Sequence, residues 1–585
     1  MSNVGDSEKR SVSGERVQTI PHIQDGPQMR DAAEVEKTHD HDTDTDDGAS
    51  ITSTSSASSS REEHRERGVR PVSRTVSRAS ESEIRDGFQN QRDPELGPEL
   101  AEKIDTTAPN PNDPNLVTWT GPDDPQNPKN WNYSKKWAAV FTVSLFTLIS
   151  PISSSLVAPA LGKIADELDI TRDFEKNLTL SIFILAYAVG PLVWGPLSEL
   201  YGRVIVLQLV NLIYLFFNLG CGLARTKSQL IAFRFFAGLG GSAPLAIGGG
   251  VLGDLFTAED RGKALSIYSL APLLGPAIGP IAGAFIAENT TWRWAFYATT
   301  IADAVIQAGG LFFLQETYAP VLLVWKKKRL IKETGNAALH TPYDHPDRTV
   351  AKTLRIALER PFRMITTQLI VQALAVYMLY VYGLIYVVLT SFPTLWSGPE
   401  PEGYGEALGV GGLNYISLGL GFFVGAQVCA PLQDRIYVAL KKRYGGGAGR
   451  PEFRVPMMVP GAVLLPVGLI VYGWTAEYKT HWIFPNIGAF LFAVATIISF
   501  QCLQTYLVDT YTRYAASAVG AGTVFRSLAG FGFPLFAPSL YGRLGHGWGN
   551  TLLALLGVVI GWPGPFLLWR YGETLRKRSP FAAGG

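Results

Sequence analysis

An all-α membrane protein, with twelve transmembrane helices in two six-helix lobes behind a disordered N-terminal tail, is the fold this sequence predicts. Three observations carry it. Hydrophobic residues make up 47% of the 585-residue chain and charged residues only 17%, and the charge gathers in the first 136 residues and a few later loops. From Trp137 onward twelve apolar segments recur, each near the ~20 residues needed to cross a ~30 Å hydrocarbon core. A long basic connection near 322–362 divides them six and six.

The elements follow in order. Residues 1–130 are rich in Ser, Asp, Glu and Arg with few aromatics, and cannot bury enough apolar surface to offset chain entropy. They are expected to form a disordered cytoplasmic tail. Within it Arg70 stands three residues before Ser73 and Arg74 three before Ser77, a spacing that suits basophilic kinases; a merely solvated charged tail is the other reading. No cleavable signal peptide precedes the tail, so the first span is expected to direct insertion. The first lobe, 131–316, holds spans at 137–160, 178–198, 204–223, 229–252, 264–287 and 295–314. A cytoplasmic linker, 317–362, follows. The second lobe, 363–572, holds spans at 365–390, 411–432, 455–474, 483–508, 515–540 and 550–570, and a short cytoplasmic tail occupies 573–585. Prolines such as Pro276, Pro280, Pro460, Pro466, Pro534 and Pro563 fall inside these segments; packed membrane helices tolerate them. None of the segments alternates as a barrel strand would.

Basic residues set the orientation. Lys326, Lys327, Lys328, Arg329, Lys332 and Arg348 follow span 6, Arg435, Lys441, Lys442, Arg443, Arg450 and Arg454 follow span 8, and Arg576, Lys577 and Arg578 follow span 12. The loop after span 7 carries Glu400, Glu402 and Glu406 and no basic residue. Both termini are therefore expected in the cytoplasm of a multi-pass cell-membrane protein. Six spans on either side of a long connection is the layout of a two-lobed transporter. Cys221, Cys429 and Cys502 lie in or beside spans without metal-ligand spacing, so no disulfide, metal or other cofactor is expected.

Three segments carry candidate chemistry. In GPLSELYGRVIVL (195–207), Glu199 and Arg203 stand four residues apart, with Gly195 and Gly202 allowing close backbone approach. Such a pair can lock neighbouring helices in one state and release them in another; an ordinary polar turn is the alternative. Arg234 opens the Gly-rich span 4, where an intramembrane cation points to a function and a snorkelling structural arginine competes with it. Span 5 repeats Gly275, Pro276, Gly279 and Pro280, a kinked helix with a small-residue face suited to close packing.

These residues resemble those of a fungal twelve-span drug:proton antiporter of the major facilitator superfamily, in the branch of multidrug and polyamine exporters. Gly195, Leu197, Glu199, Gly202 and Arg203 match the superfamily's loop motif, Arg234, Gly238 and Gly240 its span 4 motif, and Gly275, Pro276 and Gly279 the span 5 motif associated with antiporters. WTGPDDPQNPKNW (119–131), TWRWAFY (291–297), QETYAPVLL (315–323), RPEFRVP (450–456), TYLVDTY (505–511) and FPLF (533–536) fit the fungal branch, and the similarity covers roughly 117–578. Two positions depart: Val204 stands where a second basic residue is common, and Glu199 where Asp is. The resemblance implies that the loop pair works with an acid at the end of span 4, here Asp254. It also implies the major facilitator fold and outward transport of a drug-like, toxic or secreted small molecule in exchange for protons.

For proton coupling the membrane-embedded candidates are Arg234 and Asp303, with Gln307 one turn beyond Asp303. Burial and a nearby cation act oppositely on a carboxylate's proton affinity, so movement of Asp303 relative to Arg234 would change it; a plain helix-to-helix hydrogen bond is the alternative for Asp303. A midplane substrate cavity is expected to be lined by Gln372, Tyr380, Tyr382, Tyr386, Gln501 and Gln504. Asn177 and Asn289 match the glycosylation acceptor pattern in outward loops. The expected partners are a small-molecule substrate, protons and the lipid bilayer, with no nucleic acid, and the chain is expected to be a monomer. No His-rich, Ser/Lys or paired-Asp constellation marks an enzyme. A nutrient symporter or facilitator, and a receptor or scaffold working through the long tail, are the competing readings.

Overall fold

The computed structural model describes residues 113–582, except 122, 258–259, 345–348 and 445–448. Most of the expected disordered tail, with Ser73 and Ser77, lies outside the described residues.

The regular elements of the described residues are helices, and eleven segments are long and apolar enough to cross a membrane. The first lobe is built from α1 (Tyr133–Ser155), the short α2 (Leu161–Glu167), α3 (Asp173–Tyr201), α4 (Arg203–Leu223), α5 (Lys227–Gly241), α6 (Ala243–Leu255), α7 (Arg261–Asn289) and α8 (Arg293–Phe313). Two linker helices follow, α9 (Ala319–Thr334) and α10 (Val350–Thr367). The second lobe comprises α11 (Leu369–Ser397), α12 (Leu408–Leu413), α13 (Tyr415–Tyr444), α14 (Met458–Glu477), α15 (Ile483–Thr510), α16 (Ala515–Gly561) and α17 (Pro563–Lys577). Expected span 4 runs as one apolar segment, Lys227–Leu255, with a local irregularity at Ser242 between α5 and α6, where Pro244 lacks the N–H a regular helix uses.

The last apolar stretch, Ala515–Lys577, is 63 residues long. At 1.5 Å per residue that is ~95 Å of helix, about three times the hydrocarbon thickness, so it must turn back. It does so at Gly545, where φ is +68°, yielding the eleventh and twelfth spans. The Glu477 carboxylate caps the returning helix, accepting from His546 N–H at 2.6 Å and Gly547 N–H at 3.1 Å.

Packing is tightest within lobes, as between α1 and α7 or α14 and α15; across the boundary α3 lies along α16 and α7 along α13. Helical spacing sorts α7's small residues. Gly275 and Gly279, four apart, lie against Pro151, Ile152 and Ser155 of α1, whereas Ala277 and Ala284, seven apart, meet Gly419 and Gly412 of the second lobe.

Disorder was expected as far as residue 130, and the described residues at the end of that segment do not show it. The described residues of 113–130 are ordered against the linker: Val117 N–H donates to His340 O at 2.8 Å and Lys326 Nζ to Thr118 O at 3.0 Å. Composition misleads here because a few short-range bonds, rather than apolar area, hold the segment. Asp124 accepts from Thr120 N–H at 2.9 Å and Gln126 N–H at 2.8 Å, and pairs with Lys326 at 3.5 Å. The backbone bonds lower its pKa to about 2, so the charged form is favoured by folding and this contribution is lost only as pH falls from the ordinary carboxylate range through about 2. Asp124→Asn is expected to speed hydrogen exchange of residues 115–131 several-fold at neutral pH; unchanged exchange would show that the carboxylate is not the clasp.

Candidate functional site

The side of the molecule that carries α9 and α10 is the linker side, and charged groups concentrate there. α3 ends because Gly202 takes φ +111°, and a side chain at that position would also collide with the Glu316 carboxylate. The turn delivers Arg203 to the first position of α4. Its guanidinium lies 3.8 Å from Glu199 and 3.4 Å from Asp254, donates to Ser198 Oγ at 2.8 Å, and covers the Tyr318 ring at 4.7 Å. Glu199 is 44% exposed, so its share is small; Asp254 is the better-sheltered partner.

Glu316 joins this cluster without having been expected there. Its Oε1 accepts from the N–H groups of Arg203 at 3.0 Å, Thr317 at 3.0 Å and Tyr318 at 2.9 Å, and its Oε2 from Val204 N–H at 3.1 Å. One carboxylate thus neutralises the N-terminus of α4 and fixes the start of the linker, where negative charge is favoured. Its only sequence signal is an acid inside the QETYAPVLL motif. Glu199, Arg203, Asp254 and Glu316 all belong to the first lobe or its exit, so the charge pair braces α3, α4, α6 and the linker to one another. The second lobe holds a counterpart. Arg454 pairs with Asp434 at 2.6 Å and Asp509 at 2.9 Å over the Tyr437 ring at 4.4 Å, and Glu452 accepts from Arg576 at 3.1 Å. The resemblance marks these segments without assigning them roles.

Arg234 is fully buried and does not snorkel. It donates to the carbonyls of Ser153 at 2.8 Å, Thr179 at 3.1 Å, Ser154 at 3.2 Å and Leu180 at 3.4 Å, with the Phe183 ring 4.6 Å away. It therefore ties α5 to α1 and α3. Asp303 is also fully buried, but makes no ion pair with Arg234 among the described residues. Both its oxygens accept from Asn211 Nδ2 at 3.0 Å, and Gln307 Oε1 accepts from the same nitrogen at 2.9 Å. Ser153 links Arg234 to α4: its carbonyl accepts from Arg234 and its hydroxyl lies 2.5 Å from the Tyr214 hydroxyl.

The expected cavity residues separate. Tyr382 and Tyr386 share one face of α11, their rings 5.3 Å apart, and Tyr382 reaches the lobe boundary, where Gly530 meets both Tyr382 and Ile184 of α3. Tyr380 does not belong with them. Two residues are 200° of helix, so it points into the second lobe and donates to Leu553 O at 2.7 Å. Gln372 is not at the midplane either: it sits in the first turn of α11 and donates to Thr366 O at 3.2 Å on the linker side. Gln501 and Gln504 are half-buried on α15. Asn177 is not in a loop. It lies in the second turn of α3 at 6% exposure and donates to Asp173 O, so its amide is covered in the folded protein. Asn289 is the exposed last residue of α7.

Known proteins match this arrangement. A sequence profile described as Major Facilitator Superfamily matches residues 143–534. The chain is 51% identical over 503 residues to "Efflux pump vrtL" of Penicillium aethiopicum, covering 86% of this chain and 98% of that protein. It is 41% identical over 470 residues to "Efflux pump radE" of Floropilus chiversii, covering 80% and 86%. Among solved structures, the partially occluded inward-open xylose transporter XylE from E. coli superposes with a TM-score of 0.54 at 13% identity, covering 75% of this chain and 98% of that one; this likeness concerns the fold alone.

Proposed function

The chain belongs to the Major Facilitator Superfamily, and on that premise we propose that it is a secondary active exporter of a drug-like, toxic or secreted small molecule, working in exchange for protons by alternating access. The observation that carries export is the identity to Efflux pump vrtL along 98% of that protein. The reading places the chain in the drug:proton antiporter branch, as a monomer in the cell membrane with both termini and the linker in the cytoplasm. Tyr382, Gln501 and Gln504 line the substrate path, with Tyr386 packed behind Tyr382 at 3% exposure, and the charge clusters around Arg203 and Arg454 set the equilibrium between its two openings. One proton moving down one pH unit and ~100 mV releases roughly 1.4 plus 2.3 kcal/mol, enough for a ~500-fold gradient of a neutral substrate.

Everted membrane vesicles from an overexpressing strain test it. Substrate should accumulate inside them when the lumen is acidified, and an uncoupler should abolish that accumulation. Accumulation by intact cells under an inward proton gradient would overturn export in favour of a symporter.

In this reading Asp303 carries the coupled proton. The Asn211 amide donates to both its oxygens and no cation among the described residues pairs with it, so its proton occupancy responds to any change in the solvation of the α4–α8 contact. Asp303→Asn should slow gradient-driven transport at least about tenfold and flatten its pH dependence while substrate binding persists. A normal rate with an unchanged pH profile would leave Asp303 a structural hydrogen-bonding residue.

A further inference from the structure

Arg526 on α16 is a second intramembrane arginine that neither the gate nor the coupling cluster uses. It lies ~16 Å of helix beyond the start of α16, in the middle of the eleventh span. Its guanidinium is 5.3 Å from the Tyr382 ring and 5.2 Å from the Phe500 ring. All three side chains are half-buried, so they border accessible space. Gly530, one turn along α16, touches Ile184 of the first lobe and Tyr382 of the second, which puts Arg526 at the boundary between lobes. Tyr187 of α3, across that boundary, is within electrostatic range of it.

Arg526 differs from the other deep arginine in its partners. Arg234 spends its donors on four carbonyls. By contrast, no carboxylate or carbonyl among the described residues pairs with Arg526, and its Nε is buried without an acceptor. An unmatched guanidinium at this depth is expensive, and two ring contacts at ~0.5–2 kcal/mol each offset only part of that. The two Nη groups, which are not enclosed in this way, remain able to take a carboxylate in two hydrogen bonds, while the flanking aromatic rings offer an apolar, planar surface.

We propose that Arg526, Tyr382 and Phe500 form an anion-recognition subsite, so that the molecules this protein carries include aromatic organic acids bound through their carboxylate. The rings stack on the ligand's planar frame and Arg526 neutralises its charge. The site rests on the exporter reading only for the direction in which the ligand moves.

Equilibrium binding to the purified full-length protein in nanodiscs tests it, with benzoate, 2-naphthoate and anthracene-2-carboxylate as probes, each beside its uncharged amide. Wild type should prefer at least one acid over its amide about tenfold or more. Arg526→Gln should erase that preference and leave amide binding unchanged, and Arg526→Lys should keep part of it. If Arg526→Gln does not fold, the Lys variant together with Tyr382→Leu decides: both must weaken acid binding more than amide binding. Equal binding of acids and amides by wild type, no binding of any acid, or a preference that survives Arg526→Gln would overturn the subsite. Because binding needs no gradient, vesicles that transport in the opposite direction would refute export while leaving this result standing.

Discussion

Replacing Arg234 with alanine is expected to abolish transport and to destabilise the folded protein by roughly 3 kcal/mol or more, the range for removing one side of a buried charged network. Its guanidinium reaches carbonyls on two other helices, Ser153 and Ser154 of α1 and Thr179 and Leu180 of α3. Alanine removes every one of these donors at a fully buried site. Arg234→Lys keeps the charge, but a single ammonium cannot span four acceptors, so this variant should recover only part of the stability. Thermal unfolding in detergent, read beside vesicle transport, separates the roles. A variant that melts like wild type but does not transport would make Arg234 purely a coupling residue, and wild-type export by Arg234→Ala would remove it from the mechanism.

Arg203→Ala should lower the transport rate between about 5- and 150-fold, the span of a ~1–3 kcal/mol shift in a two-state equilibrium, with a much smaller change in substrate affinity measured from the linker side. The substitution leaves Asp254 without its cation and strips the guanidinium from the Tyr318 ring, loosening the joint between the first lobe and the linker. Glu316→Gln should act in the same direction, because an amide cannot present two acceptors to four N–H groups. Single cysteines placed on each face and probed with a membrane-impermeant thiol reagent report the population of each opening. Unchanged accessibility with normal transport in both variants would reduce the cluster to a polar turn.

Much of this is legible in the order of residues. Spanning helices can be read because the length and apolarity of a segment are one-dimensional properties, and Gly202 with Arg203 marks the turn because a positive φ and a charge beside an apolar run both leave local traces. The rule that singles out Arg234, a cation inside an apolar segment, applies equally to Arg526, although only Arg234 was expected to matter. Helical spacing alone, 200° for two residues, sets Tyr380 and Tyr382 on different faces of α11, so their separation too is written in the sequence.

What the sequence by itself determined was the number of crossings, their division about a basic linker, and which charged residues sit at membrane depth, since each follows from transfer energies summed along a segment. Only the tertiary structure decided what those charges meet. Glu316 acquires its partners in α4 from residues more than a hundred positions away, Arg234 meets four backbone carbonyls, Asp303 meets the Asn211 amide, and Arg526 is left facing aromatic rings at the boundary between lobes. Hydrogen bonds and ion pairs act over a few ångströms, and which groups come that close is set by how the helices pack, information that no single segment contains.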